Sequence, residues 1–259
     1  MTNRIALLGV TAVTALASVA LAQPTLYAVG SFAPGSAHTL YTVNASTGLA
    51  SPIGSTGLTD VIDLAFDPSL NRLVALTAGD DRYELDPTTG SATLLFDGAS
   101  FLTEGSLAIS TSGTLYTTDF DNLSAASLTS PFALVGPSNL NATDVSGLAF
   151  FNGSLYGLAT NASDADTLVR FDVTTGLATE LFTIATMNTG SVGGLTASPT
   201  TLFATSGDAL FSIDIATGSA TLLGAHGVTG LSGIAFIPAP SALVAFGLLA
   251  CARRRPRRA

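Results

Sequence analysis

The chain has 259 residues, with nine arginines, no lysine and 18 acidic residues, for a formal net charge of −9. Six of the arginines lie near the two ends, so residues 23–237 carry only Arg72, Arg82 and Arg170 against all 18 acids, a net charge of −15. A field of that sign repels nucleic acid and anionic lipid, and a single cysteine, Cys251, leaves the body of the chain without a disulfide or paired-thiol chemistry.

The N-terminus opens with one positive charge, Arg4, followed by an apolar run from Ile5 to Ala22. That run closes on Ala20-Leu21-Ala22, the small-x-small pattern that signal peptidase cuts, and cleavage there would leave Gln23 first. Residues 1–22 are therefore expected to be a signal peptide; a retained transmembrane anchor is the alternative.

Between the two ends, one pattern recurs at intervals of about 42 residues, a length typical of propeller blades. A small or acidic residue opens each apolar strand A: Asp63–Phe66, Ser106–Ile109, Gly147–Phe150, Gly194–Ala197 and Gly233–Phe236. Strand B follows a short turn, at Leu26–Ala28, Leu73–Ala75, Leu115–Thr117, Leu155–Gly157 and Leu202–Ala204. Strand C ends in a turn signature, Asn44–Gly48, Asp86–Gly90, Asp172–Gly176 and Asp214–Gly218. An Asx side chain opens such a turn with its own hydrogen bonds, and glycine takes the left-handed position. Strand D follows at Thr93–Phe96, Thr179–Phe182 and Thr221–Gly224, while the third repeat loses its turn signature around Ser127–Phe132.

Short strands rich in β-branched and aromatic residues, with no helical stretch between them, predict an all-β domain over residues 23–237. Four strands repeated five times predict a five-bladed β-propeller. The order also predicts how the ring closes. The body begins with a strand B and finishes with a strand A, Leu231–Ile237, which would complete the first blade and remove two free edges. Through this strand grammar the repeats resemble YVTN and NHL-type propellers over most of residues 25–237. Chance periodicity in a Thr/Gly/Ala/Leu-rich composition is the alternative.

In an up-and-down blade the B–C and D–A connections share one face. Twelve of the 18 acids sort there, among them Asp60, Asp63, Asp80, Asp81, Glu104 and Asp144. Hard carboxylate oxygens suit divalent cations, and calcium is the ion expected first. Asp60, Asp63, Asp144 and Glu104 are the candidate ligands, with Asp63 turned toward the channel; ordinary turn chemistry on a solvated surface is the competing reading. No EF-hand spacing is present, and neither a Gly-x-Ser-x-Gly elbow nor a His-Glu-x-x-His pair occurs. His38 and His226 fall on the same face as the acids. The recurring aromatics of strand B (Tyr27, Tyr116, Tyr156 and Phe203) are expected to pack between blades.

The C-terminus reads Pro238-Ala239-Pro240, then an uncharged stretch from Ser241 to Ala252, then five arginines in the last seven residues. As a helix, twelve residues span about 18 Å, short of a hydrocarbon core of about 30 Å. Such a segment is a better transient anchor than a permanent one; a plain tail anchor is the alternative. The three-part order resembles the PEP-CTERM sorting signal that exosortases recognise and remove, carried here by Pro238, Pro240, Arg253, Arg254 and Arg255. Ala239 stands where the family usually has Glu. The resemblance implies Gram-negative export, with signal peptidase and an exosortase-type enzyme as processing partners and release to the cell surface or a polysaccharide matrix. The expectation is thus an exported, non-catalytic binding or structural protein with polysaccharide or a surface protein as partner. A metal-assisted propeller hydrolase or lactonase is the alternative.

Overall fold

The computed structural model describes residues 25–239, apart from 31–34, 100–101, 103–104, 120–121, 141, 162–165, 185–186, 188–191 and 229. The expected signal peptide, and the tail from Pro240 through Arg253, Arg254 and Arg255, lie outside the described residues.

The strands follow the predicted grammar. The first three are β1 (Thr25–Gly30), β2 (Thr39–Val43) and β3 (Ala50–Ser55). The second blade is β4 (Val61–Asp67), β5 (Arg72–Thr77), β6 (Arg82–Leu85) and β7 (Ala92–Phe96). The third is β8 (Ala108–Ile109), β9 (Leu115–Asp119), β10 (Asn122–Ala126) and β11 (Ala133–Pro137). The fourth is β12 (Ala142–Phe151), β13 (Ser154–Asn161), β14 (Asp166–Phe171) and β15 (Ala178–Ile184). The fifth is β16 (Val192–Ala197), β17 (Leu202–Ser206), β18 (Ala209–Asp214) and β19 (Ser219–Ala225), after which β20 (Leu231–Ile237) returns to the start.

These strands form five four-stranded antiparallel sheets, and the first has the order β20-β1-β2-β3. The closing register pairs Thr25 with Ile237, Leu26 with Phe236 and Ala28 with Ile234. The chain's last strand thus seals the ring, and β1 becomes an interior strand.

Because each blade is covered on both faces, alternate side chains of a strand pack against different neighbours. In β1, Leu26 and Ala28 join a cluster with Phe203 and Leu210 of the fifth blade, while Val29 joins Val61, Leu64 and Leu73 of the second. The described core consists of five such clusters, one at each blade junction. Tyr27, Tyr116, Tyr156 and Phe203 all pack in or against them, as expected from sequence.

Glycine permits the inner strands to crowd the axis. A Cβ at Gly233 would lie 2.5 Å from the Leu64 amide nitrogen, and one at Gly194 3.0 Å from that of Ile234. The Asx turns between strands C and D form as predicted. Oδ1 of Asp86, Asp172 and Asp214 accepts the amide two residues ahead at 2.7–2.8 Å, and Gly90, Gly176 and Gly218 have φ of 72–82°.

Candidate functional site

Two rims result. The B–C and D–A connections form the upper rim, and the A–B and C–D turns form the lower one.

The upper rim holds the candidate ligands, and the structure gives them different surroundings. Asp60 is exposed. Asp144 lies in β12 with its side chain outside the described residues, as is all of Glu104. Asp63 is fully buried. Its Oδ1 accepts the Leu64 amide at 2.7 Å and its Oδ2 the Leu107 amide at 2.5 Å. Leu107 precedes the two-residue strand β8, so this carboxylate ties the second blade to the weakly paired start of the third. Burial drives the Asp63 carboxyl well above its ordinary range, and the two amides oppose that shift. Its role in the ring is to bridge adjacent inner strands where other blades bring glycine against backbone. Among the described residues, no three His, Cys, Asp or Glu side chains come together as a metal-binding group.

Asp80 and Asp81 are likewise engaged. Asp80, at φ 65°, lies buried against Arg82, with Oδ1 and Nη2 2.8 Å apart. The Arg82 guanidinium sits 4.5 Å from the centroid of the Phe96 ring and 4.3 Å from that of Phe132. Its Nη1 donates to the carbonyls of Ser127 and Ser130 at 2.7 and 2.6 Å. Those carbonyls belong to the third blade's C–D turn, the one without an Asx–Gly signature. A side chain from the second blade therefore supplies what that turn lacks. Asp81 accepts the Gly98 amide at 2.8 Å. Asp166 is also buried, and desolvation raises its carboxyl to about 6 against the hydrogen bond from Thr160.

The histidines have separate partners. His38 Nδ1 lies 3.5 Å from Ser232 Oγ; burial lowers its pKa, while Asp60 and a backbone hydrogen bond at Thr59 pull it back. His226 Nδ1 accepts the Val228 amide at 3.3 Å, and burial outweighs nearby Asp208 in lowering its pKa.

The lower rim carries a cavity that the sequence reading missed. It measures about 520 Å³ and opens where the inner strands end, lined by Phe66, Ile109, Tyr116, Phe150, Ala197 and Phe236. Five of these, all except Tyr116, occupy the fourth position of the strand A motif. Blade order places Ala197 between Phe150 and Phe236, and the Phe236 amide donates to Thr196 Oγ1 at 3.0 Å across that junction. Tyr116 packs edge-on against Phe150 with centroids 5.5 Å apart. Thr111 and Asn152 stand exposed on its rim, and among the described residues Tyr116 is its only ionisable lining group. The signal was visible as Phe66, Phe150 and Phe236 in register; only their ring geometry shows that these residues face a shared void.

The closed ring of five sheets defines the class of protein: an all-β, five-bladed β-propeller. Solved structures agree on the fold. The chain is similar to a chain in a nidogen/laminin complex at 14% identity and TM-score 0.55, covering 83% of this chain and 98% of that one. It is similar to TolB from Acinetobacter baumannii at 12% identity and TM-score 0.53, covering 83% and 67%. A protein of unknown function from Bacteroides thetaiotaomicron aligns at 14% identity and TM-score 0.53, over 79% of this chain and 58% of the other. No protein-family model matches the chain. No curated protein matches it in sequence.

Proposed function

We propose that this propeller is an exported, non-catalytic binding or structural module of the cell surface or extracellular matrix, sorted by its C-terminal segment. The observation that supports a binding role best is the aromatic cavity at the axis, a preformed concave site within the size range of ligand pockets, about 300–1,000 Å³. A chain of similar fold comes from a crystal structure of a nidogen/laminin complex, which is compatible with a binding role. Export and sorting rest on the apolar run closed by Ala20-Leu21-Ala22 and on the order of Pro238, Pro240, Ser241–Ala252 and the terminal arginines.

The test is the fate of the chain in a Gram-negative host with an exosortase. The natural chain is expected outside the inner membrane, starting at Gln23 and shortened at its C-terminus. Changing Arg253, Arg254 and Arg255 together to Ala is expected to leave it unshortened in the membrane fraction. Identical processing of both chains would defeat the sorting reading.

The upper rim also belongs to this proposal, as a cation-attracting surface with Asp60, Asp63, Asp144 and Glu104 the ligands expected from sequence; Asp60 is exposed there, as are Asp97 and Asp208. Calcium is the ion proposed, and millimolar affinity is expected by calorimetry. A flat titration would remove calcium from the account.

A further inference from the structure

We infer that the lower-rim cavity is a site for a neutral sugar ring, as in a hexose unit of an uncharged glycan. This deepens the binding role proposed above but does not depend on export or sorting.

The chemistry of the walls narrows the ligand. Five aromatic residues line the cavity, and three of them, Phe66, Phe150 and Phe236, are only partly buried, so their surfaces are open to an occupant. Aromatic faces bind the C–H side of an apolar or amphipathic ring. The fifth blade has Ala197 where its two neighbours have Phe150 and Phe236, so a methyl group stands in the cavity wall between two phenyl groups. That difference arises from the repeat itself: one blade lacks the side chain that its neighbours carry there.

The rim supplies the polar half. Thr111 brings a hydroxyl and Asn152 an amide, both exposed at the cavity mouth, in A–B turns of the third and fourth blades. A purely alkyl ligand would gain nothing from them. Among the described residues no carboxylate or arginine lines the cavity, so a charged ligand would lose hydration there without a counter-charge from them. The body's charge of −15 disfavours an anionic glycan further. A neutral ring with one apolar face and several hydroxyls satisfies all these conditions.

The experiment is calorimetry of the full chain with three trisaccharides: cellotriose and maltotriose as neutral probes and trigalacturonate as the anionic one, with octanol as an apolar competitor. At least one neutral probe is expected to bind with an affinity near millimolar or better, and trigalacturonate at least tenfold more weakly. Ala197→Phe gives the fifth blade its neighbours' residue and takes up cavity space. It is expected to weaken neutral binding at least tenfold while melting within a few degrees of the natural chain. Asn152→Gly removes the amide and suits the left-handed backbone there (φ 49°); it should weaken binding severalfold and serves if Ala197→Phe does not fold. Absence of neutral binding to 10 mM would overturn the inference, as would equal binding of trigalacturonate or octanol binding in place of sugar. Failure of these titrations with normal processing of the chain would remove the sugar site alone. Normal titrations with failed processing would remove only the sorting reading.

Discussion

A chain ended after Gly230 is expected to show no cooperative unfolding transition, whereas one ended after Pro238 should melt like the natural protein. The difference between the two is β20 and Pro238. Removing β20 strips Leu231, Ile234 and Ala235 from the junctions on either side of the first blade, where all three are buried. Burying a leucine or isoleucine side chain contributes about 1.5–3 kcal/mol each. It also leaves β1, an interior strand, with one row of backbone groups unpaired, and Leu26, Ala28 and Val29 without cover on one edge. The sum approaches the roughly 5–15 kcal/mol that holds a typical domain folded. Circular dichroism during urea titration of the two truncated chains makes the comparison. A sharp transition at the same midpoint in both would mean that closure contributes little.

The second large effect concerns Arg82. Arg82→Met keeps much of the apolar stem between Phe96 and Phe132 but removes the guanidinium. Asp80 is then buried without its partner, and the carbonyls of Ser127 and Ser130 lose their donor. Breaking a buried pair from one side costs about 3–5 kcal/mol, which lowers the melting temperature of a domain this size by roughly 6–20 °C. The pH dependence has a definite sign. Burial already raises the Asp80 carboxyl above its ordinary value, and Arg82 is the main group holding it down. Without Arg82 it rises further, so the folded state binds a proton that the unfolded state gives up. The deficit should be full above the folded pKa and shrink as the pH falls through it toward about 4, with both states protonated only below that. Adding Asp80→Asn should recover much of the loss at pH 7. Among the described residues Asp80 Oδ2 and Arg82 Nε have no hydrogen-bond partner, so removing both charges forfeits less than removing one. Thermal melts of the single and double variants at two pH values test the whole argument. An Arg82→Met chain within 1 °C of the natural one at pH 7 would contradict it.

The fold was legible because its information is local and repeated. Asp86, Asp172 and Asp214 each announce a turn four residues before a glycine, and Leu64, Leu107, Leu148, Leu195 and Ile234 mark the inner strand of every blade. The order of strands even specified the partner of β20. Side-chain roles were less legible because they depend on which neighbouring blade a residue meets. Asp63 read as a channel-facing acid, but its carboxylate bridges two inner strands; nothing in the local sequence shows that Leu107 needs an acceptor there. Arg82 looked like one of three scattered cations, yet it completes a turn 45 residues away. The cavity depends on Ala197 standing between two phenylalanines that are distant in sequence and adjacent only once the ring is closed.

Hydrogen exchange across Thr25–Gly30 tests that closure most directly. With β2 on one side and β20 on the other, every amide of β1 has a partner strand. Slow exchange across the whole segment, comparable to that of β5 and β17, is the predicted result. Rapid exchange at alternate amides, the behaviour of a sheet edge, would show that β20 does not pair there and that the five sheets are not joined into a ring.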